Sequence, residues 1–202
     1  MSAPISHIVF AEKVLGKELA EKDRNQFLLG TSFPDIRYLG LIKRDQTHVS
    51  EVTFEMILAA ESFESGHLFH SYLDQARERF LREQGIYDRP GWSPQAIQAC
   101  KLLEDELLYG KGRDWAGTAR IFSVIDPAER EFPVAESHIQ EWHKIISGYI
   151  AQAPTSESRF SFFDALHFPP SVRETIENFL SDMRGDSKLK DALSNFFNVF
   201  SL

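Results

Sequence analysis

Five side chains between residues 7 and 74 have the types and spacing for metal chemistry: His7, Asp35, His48, His70 and Asp74. Neutral imidazole and carboxylate hold divalent cations, and an ion with an open position activates water. His70 and Asp74 form an i, i+4 pair, so on a helix both reach one ion. At about 100° per residue, with His67 as origin, His70 falls at about −60° and Asp74 at about −20°. The three share one sector. N-terminally that sector carries Met56, Ala60 and Phe63, and C-terminally Glu78. The cluster therefore lies where a covered face gives way to a wet one, the usual address of a pocket. Asp35 stands among Phe33, Pro34 and Ile36, residues that prefer burial, so its carboxylate needs a cation: Arg37, Arg44 or a metal. Taken singly, His7 and His48 read as structural, hydrogen-bonding histidines.

The single cysteine, Cys100, rules out a disulfide within the chain and any Cys₄, Cys₃His or Cys₂His₂ zinc site. A metal here is held by nitrogen and oxygen, a donor set that suits zinc, manganese and iron. Cys100 itself, near Ile97, Leu103 and Leu107, reads as core packing.

The elements that must position these residues read as nearly all helix. Ile5 to Ala20 is apolar at helical spacing. Asp23 caps a short helix through Leu29, with Gly30 as its stop. Thr31 to Thr47 is a loop containing Pro34 and Gly40. Ser50 caps a long helix from Glu51 to Gln84, with Gly66 as a bend. Ser93-Pro94 opens a helix to Tyr109 that stops at the Gly-Lys-Gly following it. Asp114 caps a helix to Val124, and Asp126-Pro127 begins one that runs, interrupted near Pro133, to Ile150. Ala153 to Glu157 is a loop, and two last helices cover Ser171–Met183 and Ser187–Phe200.

The 202 residues suit one all-α domain: a compact multi-helix bundle, with residues 1–84 carrying the metal-site helices and 92–202 completing the core. Apolar residues are 43% and charged ones 26%, which excludes wholesale disorder. A net charge of −8 argues against an extended nucleic-acid surface. A single phosphate ester at a metal centre stays compatible with it, because bound dications change the local sign. No apolar run is long enough to span a bilayer, and Met1 to Phe10 shows no basic n-region, so a cytoplasmic protein is expected. There is no Gly-rich phosphate loop, no G-x-S-x-G elbow and no His-Asp dipeptide of the His-Asp phosphohydrolase type. Seventeen phenylalanines imply an aromatic core. Phe196, Phe197 and Phe200 either dock on that core or offer a helix to a protein partner.

In order along the chain, four pieces resemble the zinc-dependent phospholipase C family, whose relatives include the single-strand-specific fungal nucleases. They are His7-Ile-Val-Phe-Ala-Glu12, Leu29-Gly-Thr-Ser-Phe-Pro-Asp35-Ile, Thr47-His48, and Gly66-His-Leu-Phe-His70-Ser-Tyr-Leu-Asp74. The resemblance covers about the first 80 residues and implies an all-helical fold with a zinc cluster that holds a phosphate and activates water. Carried over by position, Asp35, His48 and His70 ligate one zinc, Asp74 bridges it to a second that His7 also holds, and Asp35 is a candidate general base. The nucleophile implied is a zinc-bound water whose pKa falls to about 7. The implied substrate is small and phosphorylated, or a lipid headgroup.

The chain also departs from the family. Phe80 stands where the family has a histidine six residues beyond the bridging aspartate. The family's later His-x-x-x-Glu or His-x-x-x-Asp is absent, since His138 is followed at that spacing by Trp142 and His143 by Ser147. The family's N-terminal tryptophan ligand has no counterpart. The expected centre therefore has one or two ions. Candidates to complete its pocket are His67, Glu104 or Asp105, and Glu136, His138 and Glu141, the last five being better explained as parts of charged helix faces.

Overall fold

The computed structural model describes residues 4–110 and 113–202. Among them are ten α-helices, three short 3₁₀ turns and no strand, an all-α bundle. The helices are α1 (Pro4–Leu15), α2 (Arg24–Ser32), α3 (Phe54–Ala59), α4 (Ser62–Glu83) and α5 (Pro94–Tyr109), then α6 (Trp115–Ile121), α7 (Glu136–Ile150), α8 (Ser156–Ala165), α9 (Pro170–Arg184) and α10 (Ser187–Val199). None is long and apolar enough to cross a membrane.

Burial explains the arrangement. Ile5, Ile8, Val9, Phe10 and Ala11 on α1 are all fully buried, which makes α1 a central strut rather than a surface helix. It packs on α2 and α5, while α2 lies along α4 and α5 against α9. The α2–α4 crossing is unusually close. A Cβ on Gly30 would stand 2.0 Å from the Phe63 carbonyl oxygen, and one on Gly66 would stand 2.0 Å from the Phe27 carbonyl oxygen. Only glycine at both positions lets the two backbones meet there.

This crossing corrects two expectations. Gly30 lies inside α2 instead of ending it, and Gly66 makes a contact, not a bend. Asp23 does cap α2, accepting from the Gln26 N–H at 2.9 Å. The expected loop from Thr31 to Thr47 is wound into two 3₁₀ turns, Phe33–Leu39 and Arg44–Gln46, and α1 stops at Leu15 instead of Ala20.

The long helix expected from Glu51 to Gln84 is two. Thr53, not Ser50, caps α3 by accepting from the Met56 N–H, and Glu51 has the left-handed φ of 55°. The chain turns extended at Ala60 (ψ 156°), where the Lys22 ammonium takes the Leu58 and Ala60 carbonyls. Ser93 with Pro94 opens α5 as expected; its end at Gly-Lys-Gly falls partly outside the described residues. Asp114 caps α6, which ends at Ile121, short of Val124. The segment after Asp126 is a 3₁₀ turn, Pro127–Glu131, separated by Pro133 from α7. Helix α8 lies where no helix was expected.

The C-terminal rings dock on the core. Phe196 and Phe200 are buried, each about 5.1 Å from the Phe10 ring, and Phe196 packs on Phe80 at 5.2 Å. Burying two such rings contributes about 2 kcal/mol each. Cys100 is buried on α5 as core.

Candidate metal centre

The chain from Gly30 to Phe33 lies across α4 and brings the N-terminal elements to one place. The buried His70 donates its Nδ1–H to the Thr31 carbonyl at 2.8 Å, which fixes its tautomer, since a carbonyl only accepts. Its Nε2 lone pair then faces Asp35 Oδ2 at 3.8 Å. Asp35 is buried in the first turn of the Phe33–Leu39 segment, directly after Pro34. His48 reaches the same carboxylate from the other side, with Nε2 4.0 Å from Oδ1. The Thr47 hydroxyl lies 2.9 Å from His48 Nδ1 and orients the ring so that Nε2 faces the carboxylate.

His48 Nε2 and His70 Nε2 are buried and make no hydrogen bond among the described residues. They are too far from Asp35 to bond it directly. Two donor atoms each about 2.1 Å from one tetrahedral ion stand about 3.4 Å apart, so the gaps suit a shared cation slightly better than a direct contact. Asp35, His48 and His70 form one such group, and His7, His70 and Asp74 a second, with ligand atoms within 4.8 Å of one another in each. His7 stacks on His70 with ring centroids 4.2 Å apart, and its Nε2 lies 3.7 Å from Asp74 Oδ1.

The electrostatics agree with a ligand set. Burial pulls His7, His48 and His70 each down to about 4, so all three are neutral near pH 7, as metal ligands must be. Burial alone would raise the Asp35 carboxyl, but His70, Arg37 and His48 outweigh it and hold it below the ordinary range. Asp74 is held well below its ordinary value in the same way, against burial, by Lys101, His70 and His7. A cavity of about 360 Å³ opens beside the cluster, lined by His48 and Asp74 together with Arg37, Arg44 and Lys101. Arg37 is braced on the Tyr38 ring at 4.0 Å and lies 3.5 Å from Asp35. In a chain of net charge −8, this wall is locally cationic.

All five residues expected as ligands thus converge. The others do not join them. His67 shares the helix sector on paper, yet its ring packs toward Phe33 and Phe132, 6.5 and 5.3 Å away, and burial pulls it down to about 4. Asp105 lies under α1, accepting from the Ser6 N–H at 2.7 Å and the Tyr149 hydroxyl at 3.2 Å. Burial pushes its carboxyl up to about 8. Glu104 pairs with the buried Arg77 at 2.9 Å, and Glu136 with Arg130. His138 is half-buried on α7 and Glu141 is exposed there; neither lines the cavity. The positions where the family would add ligands are apolar: Phe80 packs on Phe196, and Trp142 is buried with its indole N–H on the Ser32 carbonyl.

Sequence reasoning passed over Thr31 and Thr47, which orient the imidazoles, and Lys101, which lies 3.0 Å from Asp74. The sequence offers for Lys101 only its place as a lone lysine between the apolar Cys100 and Leu102. Compared with protein-family models, with curated proteins and with solved structures, the chain finds no significant match.

Proposed function

We propose that this chain is a metal-dependent hydrolase of a phosphate ester or phosphodiester, with zinc as its ion, working in the cytoplasm. One observation carries the reading: two buried imidazole nitrogens without hydrogen bonds face one buried carboxylate beside a cation-lined cavity. The ordered resemblance to the zinc-dependent phospholipase C family, with the fungal nucleases, supports the same chemistry. Asp35, His48 and His70 would hold the ion, which would supply a Lewis acid for a phosphoryl oxygen and lower the pKa of water to about 7.

The chain's own residues do the rest. His70 presents a fixed lone pair because the Thr31 carbonyl holds its far nitrogen, and the Thr47 hydroxyl orients the His48 ring toward the same carboxylate. Asp35 has two oxygens facing different imidazoles, so one can serve as ligand while the other accepts the proton of the attacking water. Arg37 and Arg44 give the incoming phosphate a cationic wall, and as planar guanidiniums they suit its oxygens. The size of the cavity fits a small phosphorylated molecule or a lipid headgroup.

Protein purified without chelator tests this. Bound transition metal, a melting temperature raised by zinc, and hydrolysis of p-nitrophenyl phosphate or its bis-ester that EDTA abolishes and zinc restores are expected. No bound metal together with an unchanged melting temperature ends the reading. A second reading, a non-catalytic metal-binding or scaffold protein of the same fold, draws on Phe80 and Trp142 standing where the family has ligands. It expects bound metal and no cleavage. In it a protein partner would meet the Phe-rich C-terminal segment at its outward residues, since Phe196 and Phe200 are buried against Phe10.

A further inference from the structure

The two candidate ligand groups share His70, and that sharing limits what they hold. Its Nδ1–H is committed to the Thr31 carbonyl, so a single lone pair, on Nε2, serves both groups. One imidazole nitrogen binds one ion, so the two groups cannot both be completed. The charges around the two carboxylates show which is filled. The Lys101 ammonium stands 3.0 Å from Asp74 Oδ1, and the Arg44 guanidinium 3.7 Å from Oδ2, so each Asp74 oxygen already faces a protein cation. Asp35 faces the His48 and His70 nitrogens at 4.0 and 3.8 Å, with one guanidinium, Arg37, at 3.5 Å from one of its oxygens. A dication entering beside Asp74 would meet the ammonium at contact distance, and like charges there repel strongly.

We propose that the centre takes one ion, in the Asp35–His48–His70 group, and that the Lys101 ammonium on Asp74 occupies the place of a second cation and binds the substrate's phosphate. This rests on the phosphoester reading above. Lys101 is well placed for the task. It projects from the middle of α5, is 15% exposed, and lines the cavity together with His48 and Asp74. Asp74 holds the stem's end in position while the remaining N–H donors are free to meet a non-bridging phosphate oxygen. No bond is made or broken at Lys101. It differs from an ion in being part of the chain, so chelation cannot remove it.

The test uses the full chain loaded with zinc at buffered free concentration and separates this inference from the metal reading. Ions per chain are measured by elemental mass spectrometry, and inorganic phosphate binding by calorimetry. Wild type and Lys101→Met are expected to hold one ion, and Lys101→Glu, which turns the cation into a third ligand beside His7 and Asp74, two. Lys101→Met is expected to bind phosphate about tenfold more weakly, as loss of one charged hydrogen bond implies, and Lys101→Arg to stay near wild type. Circular dichroism checks that each variant folds. Two ions in wild type, one in folded Lys101→Glu, or unchanged phosphate binding by Lys101→Met overturns the inference while leaving the metal centre standing. No ion in any variant overturns the metal reading itself, and this inference with it.

Discussion

Two buried places in this molecule set imidazole beside carboxylate, and they are built to opposite ends. Between α7 and the Pro127–Glu131 turn, His143 Nε2 lies 2.7 Å from Glu129 Oε1, and Glu129 Oε2 accepts the Asp126 N–H at 2.8 Å. Both carboxylate oxygens are used, and the pair closes a turn against α7. Between the Phe33–Leu39 turn and α4, imidazoles and a carboxylate stand 3.8 and 4.0 Å apart, with their facing nitrogens unbonded. Closed contacts stabilise a fold; contacts held open by a rigid scaffold leave room for a ligand. The difference is about 1 Å, and residue type alone does not reveal it.

Changing each place should therefore have a different signature. The largest effect is expected from Asp35→Asn. Loss of the carboxylate that unites the open group should lower zinc affinity at least about 100-fold and take hydrolysis to background, with little loss of melting temperature in the metal-free protein. Equilibrium dialysis with a zinc chelator reads the first and calorimetry the second. A metal-free protein that melts much lower would show that Asp35 serves the fold, as Glu129 does. Next comes Gly66→Ala, whose Cβ would press on the Phe27 carbonyl. It should cost about 3 kcal/mol in urea unfolding and weaken zinc binding too, because the same crossing places Thr31 on His70. His143→Ala should do the reverse of Asp35→Asn. It leaves a buried carboxylate oxygen without its partner, at about 2 kcal/mol, and should leave zinc uptake unchanged.

Smaller effects come from pH. Burial pulls His48 and His70 to about 4 from the ordinary 6.5, so between those values the unfolded chain binds more protons than the folded one. The stability owed to neutral imidazoles is complete above about pH 6.5 and is lost as the pH falls toward 4. A melting series over that range should slope downward, and less steeply in His48→Gln. Asp105 works in the other sense. Its folded value, raised to about 8 by burial, makes its contribution complete below about pH 4 and lost as the pH rises through 8. Asp105→Asn should flatten that decline between about pH 4 and 8 by a few degrees.

Much of the open group was legible in the sequence because its parts obey local rules. His70 and Asp74 follow helix spacing, and Asp35 betrays itself as a carboxylate among apolar neighbours. What failed was extrapolation along a helix that does not exist. The break at Ala60 separates Met56 from the sector that carries His70, and the chain at Gly30–Phe33 crosses α4 so that His67 and His70 face different surroundings. Helix α8 stayed hidden for a related reason. On its covered side the fully buried Arg159, bonded to Glu106 and Glu177, stands one turn before the buried Phe162 and Phe163, and that charge interrupts the apolar stripe that announces a helix. Lys101 was overlooked because its partner is 27 residues away on another helix.

Helix α5 sets the boundary of what can be cut out or transplanted. Lys101 and Asp105 lie one turn apart on it, about 6 Å along the axis, one held on Asp74 of α4 and the other on the first turn of α1 beside His7. A fragment ending at Glu83 would keep all five imidazole and carboxylate groups and yet lose the brace that spaces α1 from α4. Any portable unit for grafting this centre onto another bundle must therefore include α5, a segment of no metal ligands.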